Sequence, residues 1–340
     1  MTASLTADVV PGEAATPRRR WARPLLGYLV TVIILVNLNF LLPRAMPGDP
    51  LETLFATAAP TVSIDQETRD ELEAYYGLDT SFGEQYVSYF KSLADGDLGR
   101  SILTRQEVSD LLRNSLPWTL LLVATATVLA TVIGLTAGIH SGWRQGRPVD
   151  GGLLIAFLGL RNIPEFFLAS ALLFLFAVKL DWFPLAGGRT PFTDSSSVEG
   201  VLDIAHHLVL PAMVLAIGLT AGQFLYMRAG MVSELGAGYL VMGRAKGLKE
   251  HRLKYRYAAR NALLPVVTTT SLELGFSITA TVFIERVFSY PGMGGVVADA
   301  AANRDYPTLQ GAFLILAIIV LTINLLTDML YGRLDPRTKA

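Results

Sequence analysis

Residues Arg228–Pro265 read RAGMVSELGAGYLVMGRAKGLKEHRLKYRYAARNALLP, the longest polar interval in the second half of the chain, with long apolar segments on both sides. Arg228, Arg244, Lys246, Lys249, Arg252, Lys254, Arg256 and Arg260 stand against Glu234 and Glu250. Short loops rich in Lys and Arg stay on the cytoplasmic side of a membrane, so this loop is expected to face the cytoplasm. Tyr239, Leu240, Met242, Ala245 and Leu248 recur at three- and four-residue steps, the spacing of one helix face. Gly247 breaks that pattern and Lys249–Asn261 resumes it. The spacing predicts a short amphipathic helix that lies on the membrane or docks into a groove on a partner.

Outward from this loop the chain is mostly apolar. Half of its 340 residues are hydrophobic and the mean hydropathy is +0.43, more than a soluble domain of this length needs. Six apolar segments, at about 25–42, 117–139, 152–178, 208–227, 264–284 and 309–331, are each long enough to cross a bilayer as a helix. The fold expected is all-α and polytopic, with six transmembrane helices. Arg18, Arg19, Arg20, Arg23, Arg144, Arg147, the eight cations of the long loop, Arg333, Arg337 and Lys339 all fall on one side of that topology. Both termini are therefore expected inside.

The remaining pieces fit around these spans. Residues 1–22 read as a disordered cytoplasmic tail, 23–43 as a first, uncleaved span and 332–340 as a second tail. Residues 44–115 are dense in acids, among them Asp65, Glu67, Asp70, Glu71 and Glu73, and read as an external, mostly helical insert. Residues 116–331 form a five-helix core that includes the loop 228–263. The external stretch 179–207 is rich in Pro, Gly and Ser.

Several function classes are excluded by what is missing. The net charge of −1 gives no bulk attraction to nucleic acid. There is no cysteine, hence no disulfide, thiolate metal site or thiol nucleophile. No phosphate-loop motif is present, so ATP binding by that route is not expected. His206 and His207 are adjacent and point about 100° apart on a helix, a poor chelate, so no metal site is assigned and no cofactor is implied.

Gly243-Arg244-Ala245-Lys246-Gly247-Leu248, followed by Ala258-Ala259-Arg260-Asn261-Ala262-Leu263-Leu264-Pro265, resembles the cytoplasmic coupling loop of ABC-transporter permeases of the dipeptide/oligopeptide/nickel branch. Pro47-Gly48-Asp49-Pro50, Gly96-Asp97-Leu98-Gly99-Arg100-Ser101, Glu285–Gly294, Asn303–Pro307 and Leu334-Asp335-Pro336-Arg337 are similar to the same family, so the resemblance runs from about residue 22 onward. Three features depart from the pattern. Gly238 stands where an acid is usual, Val241-Met242 replace Arg-Thr, and Gly243 replaces an alanine. The resemblance implies a type I ABC importer transmembrane domain. Its implied partners are a second permease, two ATPase subunits and an external solute-binding protein, in a lipid membrane. Tyr239, Arg244, Ala245, Lys246, Gly247 and Leu248 would be the ATPase-coupling residues, and the solute would be peptide-like.

Ionisable groups inside apolar segments are expensive unless paired or facing water. Arg161, Glu165 and Glu273, with Asn162, are therefore candidates for the solute path. Arg161 and Glu165 are four apart and are expected to share a helix face, while Pro164 should bend the third span. One reading makes the pair structural. The other puts it on the water-filled path, where it would meet a zwitterion. Glu285 lies near a span end and is expected to reach the interface, while its match to a position of the resembling family implies a structural role. An ion-driven secondary transporter relaying charge through Arg161, Glu165 and Glu273 is the alternative function, although the paired broken repeats of such proteins are not evident.

Overall fold

A computed structural model describes residues 17–45, 70–71, 74, 79–194 and 196–334. The expected insert therefore lies partly outside the described residues, as do most of the N-terminal tail and residues 335–340. The described chain is helical, with an isolated bridge between Arg100 and Glu107.

Five of the six apolar segments each fall in one helix, and the third is divided. The first lies in α1 (Pro17–Ala45). Of the insert, α2 (Phe82–Ala94) is described, started by Ser81 and Glu84, which cap one another's backbone N–H groups. The second segment lies in α3 (Val108–Trp143), which begins inside the stretch read as the insert. The third is split into α4 (Pro148–Arg161) and α5 (Glu165–Leu172), and α5 continues as a π-helix over Leu173–Lys179. Then come α6 (Val198–Glu234), the loop helix α7 (Gly238–Ala245), a single turn at Glu250–Arg252 and a π-helical turn at Leu253–Ala258. Helix α8 (Ala259–Val287), α9 (Met293–Ala302) and α10 (Tyr306–Leu334) complete the fold.

Helices α3 and α6, of 36 and 37 residues, are about 55 Å long, well beyond a bilayer's hydrocarbon core. They run parallel and form the spine. Gly134, Gly138 and Gly142 of α3 face Gln223, Met227 and Met231 of α6, both sets at four-residue spacing. A Cβ at Gly138 would lie 2.7 Å from Met227 Cβ and 2.8 Å from the Phe224 carbonyl oxygen. Lipid offers no hydrophobic incentive for helices to associate, so close backbone packing through small residues takes over that role. On a neighbouring face α6 runs antiparallel to α8, with Gly230 against Ala262 and Gly222 against Glu273. Helix α1 runs antiparallel to α10, tied by Asn39 Nδ2 to the Gln310 carbonyl (2.7 Å) and by the Tyr28 and Thr322 hydroxyls (3.3 Å). Alternating spans produce these directions.

In the third span the expected bend is a full break of the helix. Proline at 164 has no N–H, and the chain breaks over residues 162–164, so α4 and the segment Glu165–Lys179 meet at 94°.

Candidate coupling and solute-path sites

Helix α7 hangs between the ends of α6 and α8. Leu240 and Gly243 are buried, and Leu240 packs with Met227, Met231, Leu253 and Ala262. At Gly243 the space a methyl group would fill is occupied by Leu253 Cδ2, which accounts for glycine there. The helix ends in a Schellman motif. The Leu248 N–H bonds the Gly243 carbonyl (3.0 Å) and the Gly247 N–H bonds the Arg244 carbonyl (2.9 Å). Gly247 has φ +75°, and nothing lies within 4 Å of where its Cβ would be. Its role is thus the left-handed turn itself, not close approach of another backbone. Leu248 is half-buried and seats the turn on the helix.

The outer face is open. Val241, Met242, Arg244, Ala245, Lys246 and Gly247 are exposed, with Val241 60% and Met242 58% accessible. Arg244 Nε pairs with Glu250 Oε1 at 3.0 Å. Tyr239 points the other way and its hydroxyl donates to Glu234. Burial, and then this carboxylate, push the Tyr239 phenol up to about 12.

An acid that sequence reasoning missed holds this end of the fold. Asp150, 3% exposed in the first turn of α4, accepts two bonds from Arg228 (Nε 2.7 Å, Nη2 2.8 Å). It also accepts from the Ser141 hydroxyl and the Gly146 N–H (2.9 Å). One carboxylate thereby ties the ends of α3, α4 and α6 just where the chain turns into α7. Arg228 counts as a loop cation in the sequence, and nothing there points to a partner 78 residues away.

At the break of the third span the expected Arg161–Glu165 pair does not form. Their four-residue spacing shares a face only on a continuous helix, and the helix stops between them. Arg161 is exposed, with no carboxylate in ion-pair distance among the described residues. Asn162 is spent on the end of α4, donating to the Leu158 carbonyl (2.6 Å). Glu165 lies over Gly218 of α6, its Oε1 2.9 Å from the position a Cβ would take there. Glu273 fills the space over Gly222, one turn further along the same face, and accepts from Gln223 Nε2 (3.0 Å). Gln223, 2% exposed, is oriented by the Thr270 hydroxyl (2.9 Å). Two carboxylates from α5 and α8 thus converge on one glycine-bearing face of α6, with Arg161 nearby.

Glu285 is 1% exposed and does not reach the interface. It accepts from the Thr119 hydroxyl (2.7 Å) and from the N–H groups of Gly294 (2.6 Å) and Gly295 (3.3 Å), so it caps the first turn of α9. Asp305 is 2% exposed and accepts from the Ser101 hydroxyl (2.5 Å), the Ile102 N–H (3.1 Å) and the Thr308 hydroxyl (2.8 Å). It locks the loop before α3 to the start of α10. The Glu285 and Asp305 carboxylates are therefore structural fasteners, buried and hydrogen-bonded.

Among the described residues the chain is an all-α bundle that includes helices long and apolar enough to cross a membrane, with a short exposed helix slung between two of them, the build of a membrane-spanning subunit. The chain belongs to the family of binding-protein-dependent transport system inner membrane components, whose family model matches residues 130–340. A protein of Brucella suis biovar 1 that carries a peptide-permease name is 39% identical over 92% of this chain and 96% of its own length. The oligopeptide transport system permease protein AppB of Bacillus subtilis is 36% identical, covering 91% and 96%. The di/tripeptide transport system permease protein DppB of Pseudomonas aeruginosa is 33% identical, covering 92% and 97%. Inward-facing structures of the MetNI methionine ABC transporter share the fold, with a TM-score of 0.51 over 66% of this chain and 96% of that one, at 16% identity.

The chain is accordingly a permease subunit of an ABC importer, a multi-pass protein of the cell membrane. It is a transport component and not an enzyme. ATP hydrolysis belongs to separate subunits, and a solute-binding protein delivers the solute. The ion-driven alternative finds no support in these relatives.

Proposed function

We propose that the chain is one half of a permease for a peptide-like solute, paired with a second homologous permease in the lipid bilayer. In this reading both termini and the loop 228–263 are cytoplasmic and residues 44–115 are external. Helix α7 carries the reading. Its inner face is fixed by Leu240, Gly243 and Leu248, its exit by the Gly247 turn and its root by the Asp150–Arg228 pair, while Val241, Met242 and Ala245 are left bare. A short helix clamped at both ends with an apolar outer face is a rigid lever suited to a groove on an ATPase. ATP-driven closure of the ATPases would push on it and tilt α6 and α8 together, opening the cavity outward to the binding protein.

The chain has no cysteine, so Met242→Cys is a clean reporter. It should react with a membrane-impermeant thiol reagent only after permeabilisation, and co-assembly with the ATPase subunits should protect it. Labelling in intact cells would overturn the orientation. Labelling undiminished in the full complex would overturn the docking.

The peptide-like solute is suggested by the relatives' names and by the charges at the break of the third span. Glu165 and Glu273 would receive a peptide ammonium and Arg161 its carboxylate. Charge-assisted bonds contribute about 1.5–3 kcal/mol each, so Glu165→Gln and Glu273→Gln should each weaken uptake of a free peptide by roughly 10- to 100-fold. Uptake of an N-acetylated peptide should change much less. Wild-type uptake of the free peptide in both variants, normalised to assembled complex, removes the carboxylates from the path.

A further inference from the structure

Of the two carboxylates on the glycine-bearing face of α6, one is held and the other is not. Among the described residues no hydrogen bond reaches Glu165. Glu273 and Thr270 are three apart on α8 and so stand one above the other on one face. Gln223 of α6, 2% exposed, reaches between them. Its Nε2 donates to Glu273 Oε2 (3.0 Å) and its Oε1 accepts from the Thr270 hydroxyl (2.9 Å). The same hydroxyl lies 2.8 Å from the Val266 carbonyl, one turn back along α8, so its single proton is shared. A primary amide has a donor end and an acceptor end. The Thr270 proton draws the acceptor end and thereby turns the N–H end to the carboxylate. The reverse arrangement would set two acceptors, the Gln223 carbonyl and Glu273, face to face. Thr270 thus acts on Glu273 through Gln223, with no hydrogen bond of its own to that carboxyl.

The neighbouring glycine makes the recess. A Cβ at Gly222 would have the Glu273 carboxyl as its three nearest atoms, Cδ at 3.1 Å, Oε2 at 3.3 Å and Oε1 closer still. The carboxyl therefore sits where a side chain of α6 would otherwise be. Among the described residues its Oε1 accepts no hydrogen bond. We propose that Gly222, Gln223 and Thr270 are positioning residues for Glu273, holding Oε2 so that Oε1 is left for a solute ammonium. The proposal rests on the reading of Glu273 as part of the solute path. It also divides the two acids: the solute meets a fixed anion on α8 and an adaptable one, Glu165, on α5.

Uptake of free trialanine by the complete transporter, normalised to assembled complex, tests this in a series of double variants. Thr270→Val keeps the shape and removes the proton. It should lower uptake about fivefold, the size expected of one lost hydrogen bond. Gly222→Ala should lower it comparably, because its methyl group displaces the flexible end of Glu273 and leaves the fold intact. Thr270→Ser, which keeps the hydroxyl, should take up trialanine at the wild-type rate. In a Glu273→Gln background neither Thr270→Val nor Gly222→Ala should add a further loss, since both act through the carboxylate already removed. In a Glu165→Gln background both effects should be undiminished. Equal losses with and without the Glu273 carboxylate make Thr270 and Gly222 structural and overturn the proposal. Wild-type uptake in Thr270→Val and Gly222→Ala, beside an impaired Glu273→Gln, overturns it as well and leaves the solute-path reading standing. Wild-type uptake in Glu273→Gln itself removes that reading and the proposal with it.

Discussion

Gly138→Leu should abolish a stable α3–α6 pair and with it most of the folded protein. A Cβ at this position would sit 2.7 Å from Met227 Cβ, 2.8 Å from the Phe224 carbonyl oxygen and 3.1 Å from the Arg228 nitrogen. Two of these three atoms are backbone, so no rotamer change in a neighbour relieves the clash. The helices must separate, and the contacts at Gly134 and Gly142 open with them because the three glycines lie on one stripe. Overpacking typically costs about 1–3 kcal/mol and occasionally more, and a whole helix interface lifted by a leucine belongs at or above the top of that range. Gly138→Ala should fall between the two. Gly152→Leu is the control, since nothing lies within 4 Å of its Cβ position. Thermal unfolding of the purified chain, followed by size-exclusion chromatography, reads the series. An unchanged unfolding temperature for Gly138→Leu contradicts the packing described here.

Asp150→Ala should be nearly as damaging, by electrostatics in place of sterics. Removing one partner of a buried pair leaves the other charge uncompensated, at about 3–5 kcal/mol. The lower end applies, because the Arg228 side chain retains 21% accessibility and some solvation. The Ser141 hydroxyl and the Gly146 N–H lose their acceptor too. The double variant Asp150→Leu with Arg228→Met should regain much of the loss, since a well-packed apolar pair replaces an ion pair at little net change. By comparison Arg244→Gln, which removes a pair whose side chains are 45% and 61% accessible, should shift stability by no more than about 0.5 kcal/mol. Unfolding temperatures and the yield of ATPase subunit co-purified with each variant separate these cases. Equal losses for Asp150→Ala and Arg244→Gln would falsify the assignment of Asp150 as the fastener.

Helix α7 was legible because its signals are local. Three- and four-residue steps of apolar side chains, a glycine at the helix exit and a cation-rich composition all lie within forty residues. The glycine stripe of α3 was also within reach, since Gly134, Gly138 and Gly142 repeat at four-residue spacing inside an apolar segment. What that spacing could not say is which helix meets it. Glu285 misled for a related reason: its position near a span end suggested solvent, but the N–H groups it serves belong to residues that return to it only after the chain turns at Tyr290–Gly292.

By itself the sequence determined which segments are helical and apolar enough to enter a membrane, that a basic amphipathic helix interrupts them, and that Pro164 should bend the third span. Those outcomes follow from hydropathy, periodicity and the missing N–H of proline, and each is decided within a helical turn or two of the residue concerned. Only the tertiary structure decided that Asp150 belongs to Arg228, that Glu165 and Glu273 share one face of α6, that Arg161 does not pair with Glu165, and that Glu285 caps the first turn of α9. A charge takes its partner from whatever the packing of distant helices brings within about 3 Å, the length of a hydrogen bond, and no periodicity along a single helix encodes that distance.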